Sequence, residues 1–94
     1  MTSVAEARIV PSSRLDLRGT FIRRTNLNNA NLEGANLSGA DCSFASFKGA
    51  NFRNALLDGA ILKGADLSDA RNLTRDQISR AIIDDKTVLP QNLR

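Results

Sequence analysis

The chain has 94 residues, with 13 basic and 10 acidic side chains and no His, Trp or Tyr. That length suits one domain, and a hydrophobic share of 41% is too high for a chain that stays disordered. No apolar run is long enough to span a membrane, and without His the commonest general base and metal ligand are missing.

Residues 1–14 read as an N-terminal tail or cap. They hold no long apolar core behind a basic start, so they do not resemble a secretory leader. The lone Cys42 cannot form an internal disulfide and fits a reducing compartment, so cytoplasmic residence is the expectation. Ile9, Val10 and Pro11 are expected to add an edge strand or to pack on Leu15 and Leu17, with Pro11 limiting further pairing.

Residues 15–69 carry an internal repeat. With Ala30 at position one, the chain reads in fives as ANLEG, ANLSG, ADCSF, ASFKG, ANFRN, ALLDG, AILKG and ADLSD. The frame extends upstream, more weakly, as LDLRG, TFIRR and TNLNN, which makes eleven units. Position three is Leu17, Ile22, Leu27, Leu32, Leu37, Cys42, Phe47, Phe52, Leu57, Leu62 and Leu67, and position one is Ala in eight units. A helix wants apolar residues about every 3.6 positions and a strand every 2, so a strict period of five is neither. A small and a large residue two apart point the same way from extended backbone, and a Gly-rich fifth position supplies a corner where φ can be unusual. Each unit is therefore one short side of a coil with two residues facing in.

This pattern resembles the bacterial pentapeptide-repeat family, whose consensus is Ala, Asp or Asn, Leu and two variable residues. The resemblance covers residues 15–69. It implies an all-β solenoid, a right-handed quadrilateral β-helix with four units per coil, so eleven units make under three coils and a body about 13 Å long. Stacking by twenty residues places Leu17, Leu37 and Leu57 in one column, and puts Phe47 beside Phe52 in the middle coil.

Residues 70–94 read as a capping helix and an extended tail. Asp69-Ala70-Arg71-Asn72 is expected to break the frame. Thr74 with Gln77 forms a capping box, Leu73 with Ile78 a hydrophobic staple, and Asp76 suits the first turn. A helix is expected at about 75–83 over the last coil, with Ile78, Ala81 and Ile82 on one face. Turn and extended chain should follow to Pro90. The run NLTRDQISRAIIDDKTVLP is similar to the tail of many bacterial family members, which implies a natural C-terminus.

Chemistry is sparse. Cys42 occupies an inward slot and reads as core rather than nucleophile. Asp84-Asp85 reads as a solvated turn, since adjacent residues rarely share a metal. The repeated glycines form no phosphate loop. No catalytic residue, metal site or cofactor is expected, and the chain does not read as an enzyme. Residues 15–69 hold six basic and six acidic side chains, so the body is neutral and nucleic acid is an unlikely partner.

One face departs from the pattern. Phe21 and Ile61 stand where Asn or Asp is usual, Phe44 stands where Gly is usual, and Leu56 takes an Asn or Asp slot on the adjoining face. With Arg23, Arg24 and Lys63 they are expected to form an apolar strip with a basic rim, a candidate contact for a protein partner or a second copy. The first functional expectation is thus a structural or binding module. The resemblance implies an alternative, a gyrase-binding DNA mimic that protects against inhibitors, which needs a longer and more acidic body. It also implies a third, a scaffolding role as in cyanobacterial members.

Overall fold

The computed structural model describes residues 15–94, so the expected cap at Ile9, Val10 and Pro11 lies outside the described residues. Parallel bridges join the second residue of a unit to its counterpart twenty residues ahead, from Asp16↔Asn36 to Asn51↔Arg71, two more join Ile61 to Ile82 and Asp66 to Val88, and the bridges fall on four faces. The first face stacks Asp16, Asn36 and Leu56; the second Phe21, Asp41, Ile61 and Ile82; the third Asn26, Ser46, Asp66 and Val88; the fourth Asn31, Asn51 and Arg71. The result is a four-sided β-solenoid built of single rungs rather than long strands.

The backbone uses both sides of every rung. The position-three N–H donates to the position-two carbonyl of the next coil, as Ile22 does to Asp41 at 2.9 Å. The position-two N–H donates back to the position-one carbonyl of the coil before, as Asp41 does to Thr20 at 2.8 Å. Position two therefore turns both its N–H and its C=O toward the preceding coil.

Two further devices fix the period at five. Position five has positive φ in all eleven units: Gly in six, and Arg24, Asn29, Phe44, Asn54 and Asp69 in the others. This left-handed residue makes the corner, and it favours Gly, Asn and Asp because a Cβ crowds the next carbonyl. Position two supplies the second device. The side-chain oxygens of Asp16, Asn26, Asn31, Asn36, Asp41, Asn51 and Asp66 each accept from the N–H two residues on. Such Asx bonds occupy the one backbone donor that the ladder leaves out.

Positions one and three fill the interior, as the spacing predicts. Ala35, Ala40, Ala45, Ala50, Ala60 and Ala65 are buried, with Leu37, Cys42, Phe47, Phe52, Leu57, Leu62 and Leu67. The Phe47 and Phe52 rings lie 5.4 Å apart at 56°, a tilted contact that aromatic pairs favour. Cys42 is fully buried, and loss of hydration, with the Asp41 charge beside it, pushes its thiol up to about 12. It packs as a small apolar residue.

The C-terminal end departs from expectation in several ways. Arg71 does not break the frame: it bridges Asn51 and completes the third coil, and Ile82 and Val88 add two further rungs. The ladder thus exceeds the eleven units and under three coils that the spacing implies. The frame breaks at Asn72, where positive φ moves to position three. The helix α1 spans Arg75–Arg80, shorter than expected, because Ala81 turns extended to feed the Ile82 rung. Ile82 therefore leaves the helix face that Ile78 and Ala81 were expected to share with it. The capping box at Thr74 and Gln77 is present, and Leu73 and Ile78 are both buried. The tail makes the Val88 rung and ends in a 3₁₀ turn at Gln91–Leu93 rather than in extended chain.

This tail meets the last coil group by group. Gln77 Nε2 donates to the carbonyls of Phe52 and Ala55, at 2.8 and 2.9 Å. The Arg80 carbonyl accepts from Gly59 N–H, and Ile82 and Val88 pair with residues 60, 62, 65 and 67. Thr87 Oγ1 donates to the Leu62 carbonyl. Asp84 is half-buried rather than a solvated turn residue: its Oδ1 accepts from Gly64 N–H, Lys86 N–H and Thr87 Oγ1.

The other end is different. Leu17, Ile22 and Leu27 are only half-buried, and Leu15 and Thr25, expected to face the core, are exposed. No coil precedes them among the described residues.

Two outcomes follow. Ala45→Leu adds volume to a side chain that is 1% exposed; it should lower unfolding free energy by about 1–3 kcal/mol, read from urea melts, while Lys48→Leu, at an exposed position, has little effect. Partial desolvation raises the Asp84 carboxyl, but bonds from Gly64, Lys86 and Thr87 outweigh it and hold the group below 3.8, its ordinary value. A depressed carboxylate stabilises above its unfolded pKa, and that contribution is lost as pH falls through the folded value. Stability should therefore drop below about pH 4. Asp84→Asn should show a shallower acid slope in melting temperature, with Asp16, Asp41 and Asp66, depressed in the same sense, carrying the remainder.

Candidate interaction surface

The fold places the residues of the expected strip in different settings. Phe21 stands on the second face with 86% of its surface exposed, and Leu56 on the first face with 50%. Arg23, Arg24 and Lys63 are exposed as expected. Ile61 is not: the Ile82 rung pairs directly over it, and it is half-buried. Asp41 lies between Phe21 and Ile61 in the same column, so the apolar residues do not run together along that face.

Phe44 has a different role from the one its sequence position suggests. It occupies the left-handed corner with φ 60°, an outlier for a bulky residue. Arg24, at the same corner one coil earlier, holds its guanidinium 4.8 Å from the Phe44 ring centroid. On the other side lies Gly64, where an added Cβ would fall 2.5 Å from the ring. The corner column is thus a stack of Arg24, Phe44 and Gly64. The cation–π contact and the ring's cover over Gly64 offset the strain of its backbone. Phe44 remains 42% exposed, but its faces are engaged within the molecule.

Polar side chains on the neighbouring rungs are bonded locally. Arg18 grips Asp16 through two bonds of 2.8 Å, and these hold the Asp16 carboxyl at about 2. Ser43 donates to Asp41 from its hydroxyl and its N–H, lowering that carboxyl, with Arg23 adding to the effect. Ser46 replaces Asn or Asp in its slot, and Asn28 from the coil below accepts from both Ser46 Oγ and Lys48 N–H.

At Phe21, Leu56 and Ile61 there is no side-chain acceptor, and no Asx bond reaches the N–H of Arg23, Asp58 or Lys63. Beside Leu56 the fourth rung of the first face is replaced by α1, leaving an open groove of about 550 Å³ against Arg53, Asn72, Thr74 and Gln77. The sequence does not announce this groove, because it arises where helix substitutes for a rung. Among the described residues no group of three or more His, Cys, Asp or Glu is placed to hold a metal ion. No helix there is long and apolar enough to cross a membrane.

Comparison with known proteins gives one family. Its description is pentapeptide repeats, in eight copies, matching residues 13–41 and 35–71. A crystal structure of the pentapeptide repeat protein Rfr23 from the cyanobacterium Cyanothece 51142 superposes with a TM-score of 0.71 at 31% identity, over 82% of this chain and 52% of that one. The chain thus spans about half the length of Rfr23. The pentapeptide repeat protein alr5209 from Nostoc PCC 7120 is 23% identical over 88% of this chain and 80% of that one, with a TM-score of 0.32. No curated protein matches.

The corner stack is testable by a double-mutant cycle. Gly19→Ala, at φ 65° with open space around it, should cost about 1 kcal/mol for conformation alone. Gly64→Ala should cost more, because its Cβ meets the Phe44 ring. Adding Phe44→Gly should recover the excess; equal costs at Gly19 and Gly64 would show that the ring yields freely.

Proposed function

Because the chain belongs to the pentapeptide-repeat family of right-handed β-helices, we propose that it is a non-enzymatic interaction module that presents its faces to a protein partner or to a second copy. One observation carries this reading. At Phe21 and Leu56 the rung forgoes the Asx bond that seven other units make, and places a large apolar side chain in water instead. A local hydrogen bond contributes about 0.5–1.5 kcal/mol, and exposed apolar surface contributes nothing to folding. Residues that cost stability without filling the core fit contact with another molecule. Phe21 projects beside Arg23 and Arg24 on the second face, and Leu56 borders the groove at α1.

Phe21→Asn and Leu56→Asn restore the family pattern. Each should raise unfolding free energy by about 0.5–1 kcal/mol as the turn bond returns. The double variant should lose a protein that wild type retains in affinity capture from the source organism. Retention of the same protein by the double variant, with unchanged circular dichroism, would remove these two residues from the contact.

A further inference from the structure

The tail satisfies the last coil unevenly. In ten of the eleven units the position-three N–H donates to a carbonyl of the following coil or tail; Leu57 is the exception, and no acceptor reaches it among the described residues. Leu57 is 1% exposed, and a buried N–H without a partner is rare in folded proteins. The corner N–H of Asn54 also has no acceptor there, whereas that of Gly59 reaches the Arg80 carbonyl. Both open donors lie where α1 takes the place of the fourth rung on the first face. The matching acceptor is already taken, because Gln77 Nε2 donates to the Ala55 carbonyl. At this point the edge therefore offers donors only.

We infer that the groove beside α1 is a docking site for an extended acidic segment of a partner protein, which sets a backbone carbonyl on Leu57 N–H, an apolar side chain on Leu56 and a carboxylate beside Arg53. The inference rests on the reading of the protein as an interaction module and names the ligand of one of its surfaces. Leu57 lines a depression of about 290 Å³ that shares Ala55, Leu56 and Gln77 with the larger groove holding Arg53 and Asn54, so one segment spans both. The two parts differ in charge. Asp58 and Asp76 line the smaller part with Arg80, which bridges them at 3.6 and 3.2 Å; that end suits a neutral carbonyl rather than an anion. Among the described residues, Arg53 alone brings charge to the larger part, and it has no ion pair. That end suits a carboxylate.

The molecule's own tail shows what such donors take. Around the same edge the Ile82 carbonyl meets the position-three N–H of Leu62, and the Asp84 carboxylate meets the corner N–H of Gly64. A carbonyl and a carboxylate thus close the same two kinds of donor that Leu57 and Asn54 leave open. A complete coil cannot dock here, because rungs at Arg71 and Ile82 already occupy the faces on either side; a linear segment one rung long can. Every bridge in the solenoid is parallel, so the segment runs in the direction from Arg53 to Leu57, with its acidic residue ahead of its apolar one.

The test is amide magnetic resonance on the isotope-labelled full chain. In the free protein the Leu57 amide should exchange with solvent faster than those of Leu37 and Leu62, although all three residues are buried. Titration with the peptide acetyl-EAALA-amide should shift the Leu57 amide downfield, with a dissociation constant of about 1 mM. The peptide acetyl-QAALA-amide, and the Arg53→Gln protein with the first peptide, should each bind about threefold or more weakly. A Leu57 amide as protected as that of Leu62 overturns the inference, since its N–H is then not open to a ligand. So does a Leu57 amide that stays still up to about 10 mM peptide, and so does equal affinity for the two peptides. If the Leu57 amide stays still while the Phe21→Asn, Leu56→Asn variant loses the captured protein, the interaction-module reading stands and the acidic segment falls.

Discussion

Everything in this structure depends on the two-sided use of each rung's backbone. Position two turns its N–H and C=O toward the coil before, and position three turns its N–H toward the coil after. A unit therefore has no stable existence alone; its amide groups are satisfied only by neighbours twenty residues away, as in other repeat architectures. Once that ladder is set, the remaining choices are narrow. Position one must be small where the backbone folds inward, position three must fill the axis, position five must accept a left-handed corner, and position two must quiet the leftover N–H.

These demands explain what the sequence revealed and what it hid. Ala and Leu two apart marked the interior, and residues such as Ala40, Phe47 and Leu62 are buried where that spacing put them. Thr74 and Gln77 marked the helix start, because a capping box is local. The Arg71, Ile82 and Val88 rungs were not legible. They lack the unit's pattern and are recruited by the free groups of the last coil, a tertiary demand that a five-residue window does not contain. The same applies to Asp84, whose carboxylate replaces the carbonyl that another rung would have offered to Gly64.

The surface was half legible. An unusual residue in a regular slot stood out, so Phe21 and Leu56 were visible as departures. What their neighbours do was not. Phe44 looked like part of an exposed strip, yet it is clasped between Arg24 and Gly64, a relation set by the twenty-residue stacking of corners. Ile61 looked exposed until the tail rung covered it. The neighbours decide whether a departure from the repeat packs within the molecule, as Phe44 does, or projects from it, as Phe21 does.

The late position of the closing tail has a kinetic meaning. Ribosomal synthesis delivers a solenoid coil by coil, and each finished coil is the template for the next, so the growing end is chemically alike at every stage. Only when residues 75–88 emerge does that end lose its capacity to grow, because Ile82 and Val88 pair with the last coil without presenting the five-residue pattern to a further one. The tail is thus a chain terminator in the polymer chemist's sense. Until it arrives, the C-terminal edge of a nascent molecule is an open template, and the interval before residue 88 leaves the exit tunnel is when that edge is most able to graft onto another copy.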